Sequence, residues 1–446
     1  MSARSPCTAR LLRALSCATL AALPLLLASC SRAPLTAPTA STPASTARSA
    51  GPATSITTTD DILVTLAPGA DASQVAADYG TQLVDYKDGL AVLRSSPDTP
   101  IDIMLSHLSS DPRVLTVEPD GVLMLAEARQ RSFSFDDGRG TPNTYVQQPA
   151  VEAINLYSAH YASHGEGVRV AILDTGVDPT HPALAGRIVD GWDFVGDDAD
   201  PTDAKEGHDS SGDGVTDGAW GHGTHVTGIV SLVAPASQLM VVRVLDADGV
   251  GRVSDVAAGI HWATQRGARV INLSLGMLRT SPAIRSALAR AREAGVVCVA
   301  SAGNWGSSTP VEYPAGSPDV IAVAACDAAA QPAEFTSYGS FVGLCAPGVA
   351  VRSAYPGGAY RLWSGTSMSA AFVSGSAALV LTSHPAWSLG EVRDRLTQYT
   401  RTVVGADPAL AGGLGAGVLD AGLALSRDLQ AGDAETEGGT PQQIRR

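Results

Sequence analysis

The chain has 446 residues, with 30 Lys and Arg against 44 Asp and Glu, a formal net charge of -14. That length exceeds an average single domain and supports a sizeable core. The acidic balance, with no run of Lys or Arg, excludes nucleic acid as a partner and fits solubility in an external medium.

Residues 1–29 have the anatomy of an export signal. Arg4, Arg10 and Arg13 make a positive start, and the apolar run through "LAALPLLLASC" is too short and too abruptly ended to be a stable membrane span. Leu27-Ala28-Ser29-Cys30 resembles the lipobox of bacterial lipoproteins, in which the signal is cut before a cysteine that then carries lipid. An ordinary secretory cut after small residues is the alternative. Residues 30–59 are rich in Pro, Ser, Thr and Ala and read as a disordered tether, which suits lipid at Cys30 and a membrane-held precursor.

The block 60–126 reads β-α-β-β-α-β. "DILVTLA" is a strand, "DASQVAADYG" a short helix, and "TQLVDY" and "GLAVLRS" two strands around the turn at Lys87-Asp88-Gly89. Thr99 and Pro100 suit the start of a second helix through about Ser110, and "RVLTVEP" is again a strand. The order is that of a ferredoxin-like α+β unit, small enough to be marginal alone. Residues 127–145 are polar, Gly-containing and Arg-bearing, and read as an exposed, cuttable linker.

From 146 to 427 the pattern becomes α/β. "VRVAILDTG", "LMVVRVLD", "ARVINLSLG", "VVCVASAGN" and "DVIAVAACD" are apolar runs ending in Gly, Asp or Asn, and "VSDVAAGIHWATQRG" and "SPAIRSALARAREAG" lie between them as amphipathic helices closed by Gly. Such strands predict a parallel, doubly wound sheet covered on both faces, with ligands at the carboxyl ends of the strands. Outside the signal region, Cys298, Cys326 and Cys345 sit in apolar runs. An odd number cannot pair fully, so buried thiols are expected, with a Cys326–Cys345 disulfide as the alternative. Residues 428–446 read as a disordered tail.

Four short motifs in this block could carry chemistry. Asp174 ends the first strand in "LDTG", where a carboxylate can cap a helix, hold Mg²⁺, act as a nucleophile or join a triad. His222 and His225 stand three apart in "GHGTHVTG"; a helical zinc pair would need a spacing of four and a Glu beside the first. Glycines on both sides of His222 let backbone and substrate approach its ring, whereas His225 leads into apolar residues and is expected to pack. Asn304, in "AGNWG", is either a turn residue or an amide donor. Ser367, in "SGTSMSA", begins a segment that is apolar all round, where free N–H groups and the helix dipole would stabilise an oxyanion.

Asp in "DTG", His in "GHGTH", Asn in "AGN" and Ser in "GTSMSA", in that order, resemble the subtilisin-like serine proteases over roughly 150–425. The resemblance implies an exported endopeptidase that cuts proteins and peptides through an acyl-enzyme and needs no cofactor for the chemistry. Ser367 would be the nucleophile, His222 the base, Asp174 its orienting partner, and Asn304 with the Ser367 amide the oxyanion hole. Ser274, Leu275 and Gly276 would hold the extended substrate. The unit at 60–126 would be an inhibitory propeptide that also templates folding; an unrelated accessory domain is the alternative. A monomer is expected.

Several residues depart from the family's pattern. Ala371 and Phe372 follow "SMSA" where Pro and His are usual, which predicts altered packing with activity kept. Ala183 replaces an Asp common in calcium-binding members, so that common calcium site is expected to be absent. An acidic insert before His222 carries Asp198, Asp200, Asp203, Asp209, Asp213 and Asp217, either a structural Ca²⁺ site or a solvated loop. Ala302, Gly303 and the "VEYPAG" turn should line the specificity pocket, with Trp305 narrowing it. Glu312 stands at its floor in place of a small residue, favouring a basic substrate side chain if it points inward and a broad apolar preference if it does not. A catalytically silent subtilase-fold binding module at the cell envelope is the rival reading, and a metalloprotease the third.

Overall fold

Alternate residues of the strand Arg169–Asp174 point to opposite faces, and both faces are apolar: Val170 and Ile172 join one buried cluster, Ala171 and Leu173 another. The neighbouring strand Gln238–Arg243 divides the same way, with Leu239 and Val241 on the first face and Met240 and Val242 on the second. Strands buried on both sides need cover on both. Helices His222–Val233 and Thr366–Ser383 cover the first face, and Val253–Gln265 and Pro282–Glu293 the second. These relations come from a computed structural model that describes residues 60–129, 132–405, 410 and 412–426. Residues 1–59, read above as an export signal and a tether with lipid at Cys30, and the tail read at 428–446 lie outside the described residues.

The large sheet has nine strands, in the order Thr400–Arg401, Val418–Leu419, Val342–Pro347, Ile321–Cys326, Val297–Ser301, Val270–Leu273, Arg169–Asp174, Gln238–Arg243 and Ile188–Asp193. Every neighbouring pair is parallel except the first, so the expected parallel, doubly wound architecture holds. Cys298, Cys326 and Cys345 are buried free thiols, so the alternative disulfide is not formed.

The N-terminal unit has the expected order. Its strands Asp61–Leu66, Gln82–Lys87, Leu90–Arg94 and Val114–Pro119 form an antiparallel sheet in which the first strand lies between the third and fourth and the second is at the edge, the split arrangement of a ferredoxin-like unit. Helices Ala72–Asp78 and Ile101–Leu108 close its core with Ile62, Val64, Val75, Leu93 and Leu108.

Two carboxylates dock this unit on the large domain. Glu118 accepts from the Ser281 hydroxyl at 2.9 Å and the Ala283 N–H at 2.8 Å, at the start of helix Pro282–Glu293. Asp120 does the same for helix Val253–Gln265, accepting from the N–H and hydroxyl of Ser254 at 2.9 and 2.8 Å. Both use unpaired N–H groups and the positive end of a helix dipole, a favourable setting for a carboxylate. The chain then runs as strand Val122–Met124 antiparallel to Val250–Arg252, and Met124 exchanges two 3.0 Å hydrogen bonds with Gly276. That places residue 125 onward over the carboxyl ends of the central strands.

Candidate active site

Asp174 is the last residue of its strand, and His222 opens a helix just after Gly221, whose φ of 90° suits glycine. The turn brings His222 Nδ1 to 2.7 Å from Asp174 Oδ1, with both side chains at most 1 % exposed. Gly365 precedes the helix Thr366–Ser383, and Ser367 is its second residue. That helix is buried all round through Leu381, so the first turn is fixed by packing. Asn304 follows the strand Val297–Ser301; its Oδ1 accepts from the Thr366 N–H at 3.0 Å and hydroxyl at 2.9 Å, which aims Nδ2 at the start of the same helix. The four residues Asp174, His222, Asn304 and Ser367 therefore meet at one point.

That point is filled by Glu127. Its Oε2 accepts from the Ser367 hydroxyl at 2.7 Å, and its Oε1 from Asn304 Nδ2 at 3.2 Å and the Ser367 N–H at 3.3 Å. His222 Nε2 lies 3.6 Å from Glu127 Oε2 and has no hydrogen-bond partner. The fit depends on Gly365, since a Cβ there would stand 1.8 Å from Glu127 Oε1. Burial alone would lower the His222 pKa, but the Asp174 and Glu127 carboxylates outweigh it and push it up to about 10. Burial alone would raise the Glu127 pKa, but the close His222 imidazolium and the hydrogen bonds from Ser367 and Asn304 reverse the sign to a net lowering. His225 is different: buried, with its ring against Trp363 and Nε2 at 3.1 Å from the Val351 carbonyl oxygen, it is driven down to about 3 chiefly by desolvation. It packs, as expected.

Residues 127–145 do not begin as an exposed linker. Glu127 and Ala128 are buried in the short helix Ala126–Arg129, Glu127 against Ser367, Asn304 and His222 and Ala128 in an apolar core cluster. Farther on, the Ser132 hydroxyl donates to the Ser364 carbonyl, and Phe135 pairs with Leu362. Nothing in "LAEARQ" signals this: a Glu among alanines reads as a solvated helix residue, and its partners lie 95 to 240 positions away.

The remaining expected residues divide. Gly276 pairs with the extended chain through its backbone, Leu275 packs in the core, and Ser274 offers its carbonyl 3.5 Å from Ser367 Oγ. Gly303 lies beside Glu312, whereas the Ala302 methyl packs into a core cluster. Glu312 points inward, with a side chain 1 % exposed; its Oε1 accepts from Trp305 Nε1 at 2.7 Å and from Arg129 Nη1 at 2.9 Å.

The aspartates of the insert do not converge. Asp198 Oδ1 accepts from the Asp200 N–H, Asp200 from Thr202, Asp209 from the N–H groups of Asp213 and Gly214, Asp213 from Val215, and Asp217 from Glu206 and Gly207. Asp203 is buried and accepts from the Gly221 N–H and the Thr224 hydroxyl. Each carboxylate holds its own stretch of backbone, and among the described residues no group of three or more His, Cys, Asp or Glu side chains could hold a metal ion. These carboxylates do not converge on one point, which the Ca²⁺ reading of the insert requires of them.

A doubly wound parallel sheet with an aspartate at a strand end, a histidine and a serine in the first turns of two helices, and an amide aimed beside the serine belongs to the class of subtilisin-like serine proteases. Comparison with known proteins agrees: residues 165–417 match the subtilase family (peptidase S8). Subtilisin of Bacillus pumilus is 40 % identical over 267 residues, covering 57 % of this chain and 90 % of that protein. Subtilisin E of Bacillus subtilis (strain 168) is 37 % identical over 313 residues, 68 % of this chain and 74 % of its own length. Among solved structures, fervidolysin from Fervidobacterium pennivorans, described as a keratinolytic enzyme related to subtilisin, superimposes with a TM-score of 0.66 at 26 % identity. It covers 86 % of this chain, which in turn spans 61 % of fervidolysin. The chain belongs to the subtilase family.

Proposed function

We propose that this subtilisin-like protease is an exported serine endopeptidase made as a self-inhibited precursor, with Asp174, His222 and Ser367 as its triad. The observation that carries the reading is the position of Glu127 Oε1, 3.2 Å from Asn304 Nδ2 and 3.3 Å from the Ser367 N–H. Two donors converging on one oxygen beside the serine hydroxyl are what a tetrahedral intermediate requires, and the carboxylate oxygen stands in for that oxyanion. In the free enzyme, Ser367 Oγ attacks the scissile carbonyl while His222 Nε2 takes its proton. Asp174 holds the imidazole by Nδ1 and stabilises its charge. The proton then passes to the leaving amine, and water hydrolyses the acyl-enzyme by the same route.

In the precursor none of this proceeds. The Ser367 hydroxyl donates to Glu127, and a His222 pKa pushed up to about 10 leaves the ring charged at neutral pH, unable to act as base. The unit at 60–126 acts as the propeptide, docked through Glu118 and Asp120. Residues 1–29 support export, and lipid on Cys30 would tether the precursor to the membrane. Because Cys30 precedes the propeptide, cutting within 127–145 releases a soluble, monomeric enzyme; a mature catalytic domain that still carried lipid would overturn this. The catalytic reading is tested with a phosphonate that traps active serines. Mature wild type should label and Ser367→Ala should not, whereas an unlabelled wild type would favour the silent binding module.

A further inference from the structure

The Glu312 side chain is buried, 1 % exposed, between two glycines, and we call the space it shares with Arg129 its pocket. A Cβ at Gly276 would stand 2.2 Å from its Oε2, and one at Gly303 3.1 Å from its Cδ. The pocket opens beside the reacting serine. Gly276 is the residue whose N–H and carbonyl hold the extended chain at Met124, Gly303 donates its N–H to the Thr366 hydroxyl next to Ser367, and the Ser274 carbonyl two residues before Gly276 lies 3.5 Å from Ser367 Oγ. A substrate laid along Gly276 would therefore drop a side chain next to the scissile bond into this pocket.

The precursor fills the pocket with a cation from its own chain. Arg129 donates Nη1 to Glu312 Oε1 at 2.9 Å and Nη2 to the Gly276 carbonyl at 2.6 Å, so the guanidinium is read by one carboxylate and one backbone oxygen. Arg129 is two residues beyond Glu127, on the stretch that leaves when the site opens. Once it leaves, Glu312 keeps only Trp305 Nε1 among these partners, and its Oε2 has none even in the precursor. A buried carboxylate left this way is costly, and burial already raises the Glu312 pKa. A cationic side chain restores what Arg129 supplied, and an apolar one does not.

We propose that Glu312 makes the pocket beside Ser367 a receptor for a cationic substrate side chain, so that the enzyme cuts after arginine in preference to lysine and both in preference to apolar residues. Arginine ranks first because its planar fork matches two oxygens at once, Glu312 and the Gly276 carbonyl, whereas an ammonium is a point charge. The inference rests on the endopeptidase reading.

The test uses mature enzyme and peptides identical except for Arg, Lys, Phe or Leu before the scissile bond. Wild type should favour Arg over Phe in kcat/KM by at least about tenfold, the lower end for a charge-assisted contact. Glu312→Gln should lose at least about tenfold more kcat/KM on Arg than on Phe. Benzamidine, a small planar cation, should inhibit wild type competitively, which needs no variant to fold. Preference for Phe or Leu in wild type, an equal loss on all four peptides in Glu312→Gln, or no inhibition by benzamidine would overturn the proposal. If the phosphonate still labels Ser367, only the specificity assignment fails. No labelling and no cleavage of any peptide would remove the endopeptidase reading with it.

Discussion

Replacing Glu127 by Gln in the full-length precursor keeps the shape of the side chain and removes its charge. The carboxylate now takes three hydrogen bonds from Ser367 and Asn304 and stands 3.6 Å from His222 Nε2, with both partners of that ion pair at most 1 % exposed. Breaking a buried pair costs about 3–5 kcal/mol, and the amide keeps part of the hydrogen bonding, so a net loss of about 3 kcal/mol is reasonable. That is roughly a hundredfold more of the open state, and conversion of precursor to mature enzyme, followed on a gel at pH 7–8, should speed up by up to that factor. The pH dependence gives a second readout. His222 is raised in the closed state to about 10, by Asp174 first and by Glu127 second; only the Glu127 part belongs to closure, and it is present at neutral pH and disappears as pH rises through about 10. Glu127 is lowered from 4.5, so its contribution is present above that value and is lost on acidification through its lowered pKa. Wild-type maturation should accelerate as pH rises towards 10, and Glu127→Gln should reach its plateau at a lower pH. An unchanged rate together with an unchanged pH profile would refute the latch.

Asn304→Ala in the mature enzyme should reduce kcat about 10²–10³-fold with KM little altered, because the amide acts on the developing oxyanion rather than on bound substrate; parallel losses in both constants would contradict its role. The insert at 198–217 should be indifferent to calcium, since its carboxylates already accept from their own backbone. Melting temperatures of the mature enzyme with chelator and with added calcium should agree within about 1 °C, against the stabilisation of several degrees that a bound structural ion would give.

What could be read from the sequence follows from how local each signal is. The central strands were legible because both faces are apolar, as at Val170 to Leu173, and the candidate site residues Asp174, His222, Asn304 and Ser367 stood out because each ends such a strand or lies close to a glycine. The edge strand Ile188–Asp193 escaped because Asp190, Gly191 and Asp193 break the apolar run; an edge has only one neighbour to satisfy. The hairpin Val351–Tyr355 with Ala359–Trp363 is short and its strands are interrupted by Arg352 and Arg361. Glu312 was visible as a residue out of place, but its direction depended on the bare walls at Gly276 and Gly303. Glu127 was illegible because its meaning comes only from docking, through Glu118, Asp120 and the Met124–Gly276 pairing, far from its neighbours in sequence.

The most direct test of the central claim is pre-steady-state hydrolysis of a chromogenic ester by the mature enzyme. An acyl-enzyme on Ser367 predicts a rapid burst approaching one product per chain before the linear phase, absent in Ser367→Ala and unaffected by chelator. Linear hydrolysis without a burst under conditions where deacylation is slowed, abolished by chelator and retained in Ser367→Ala, would contradict it.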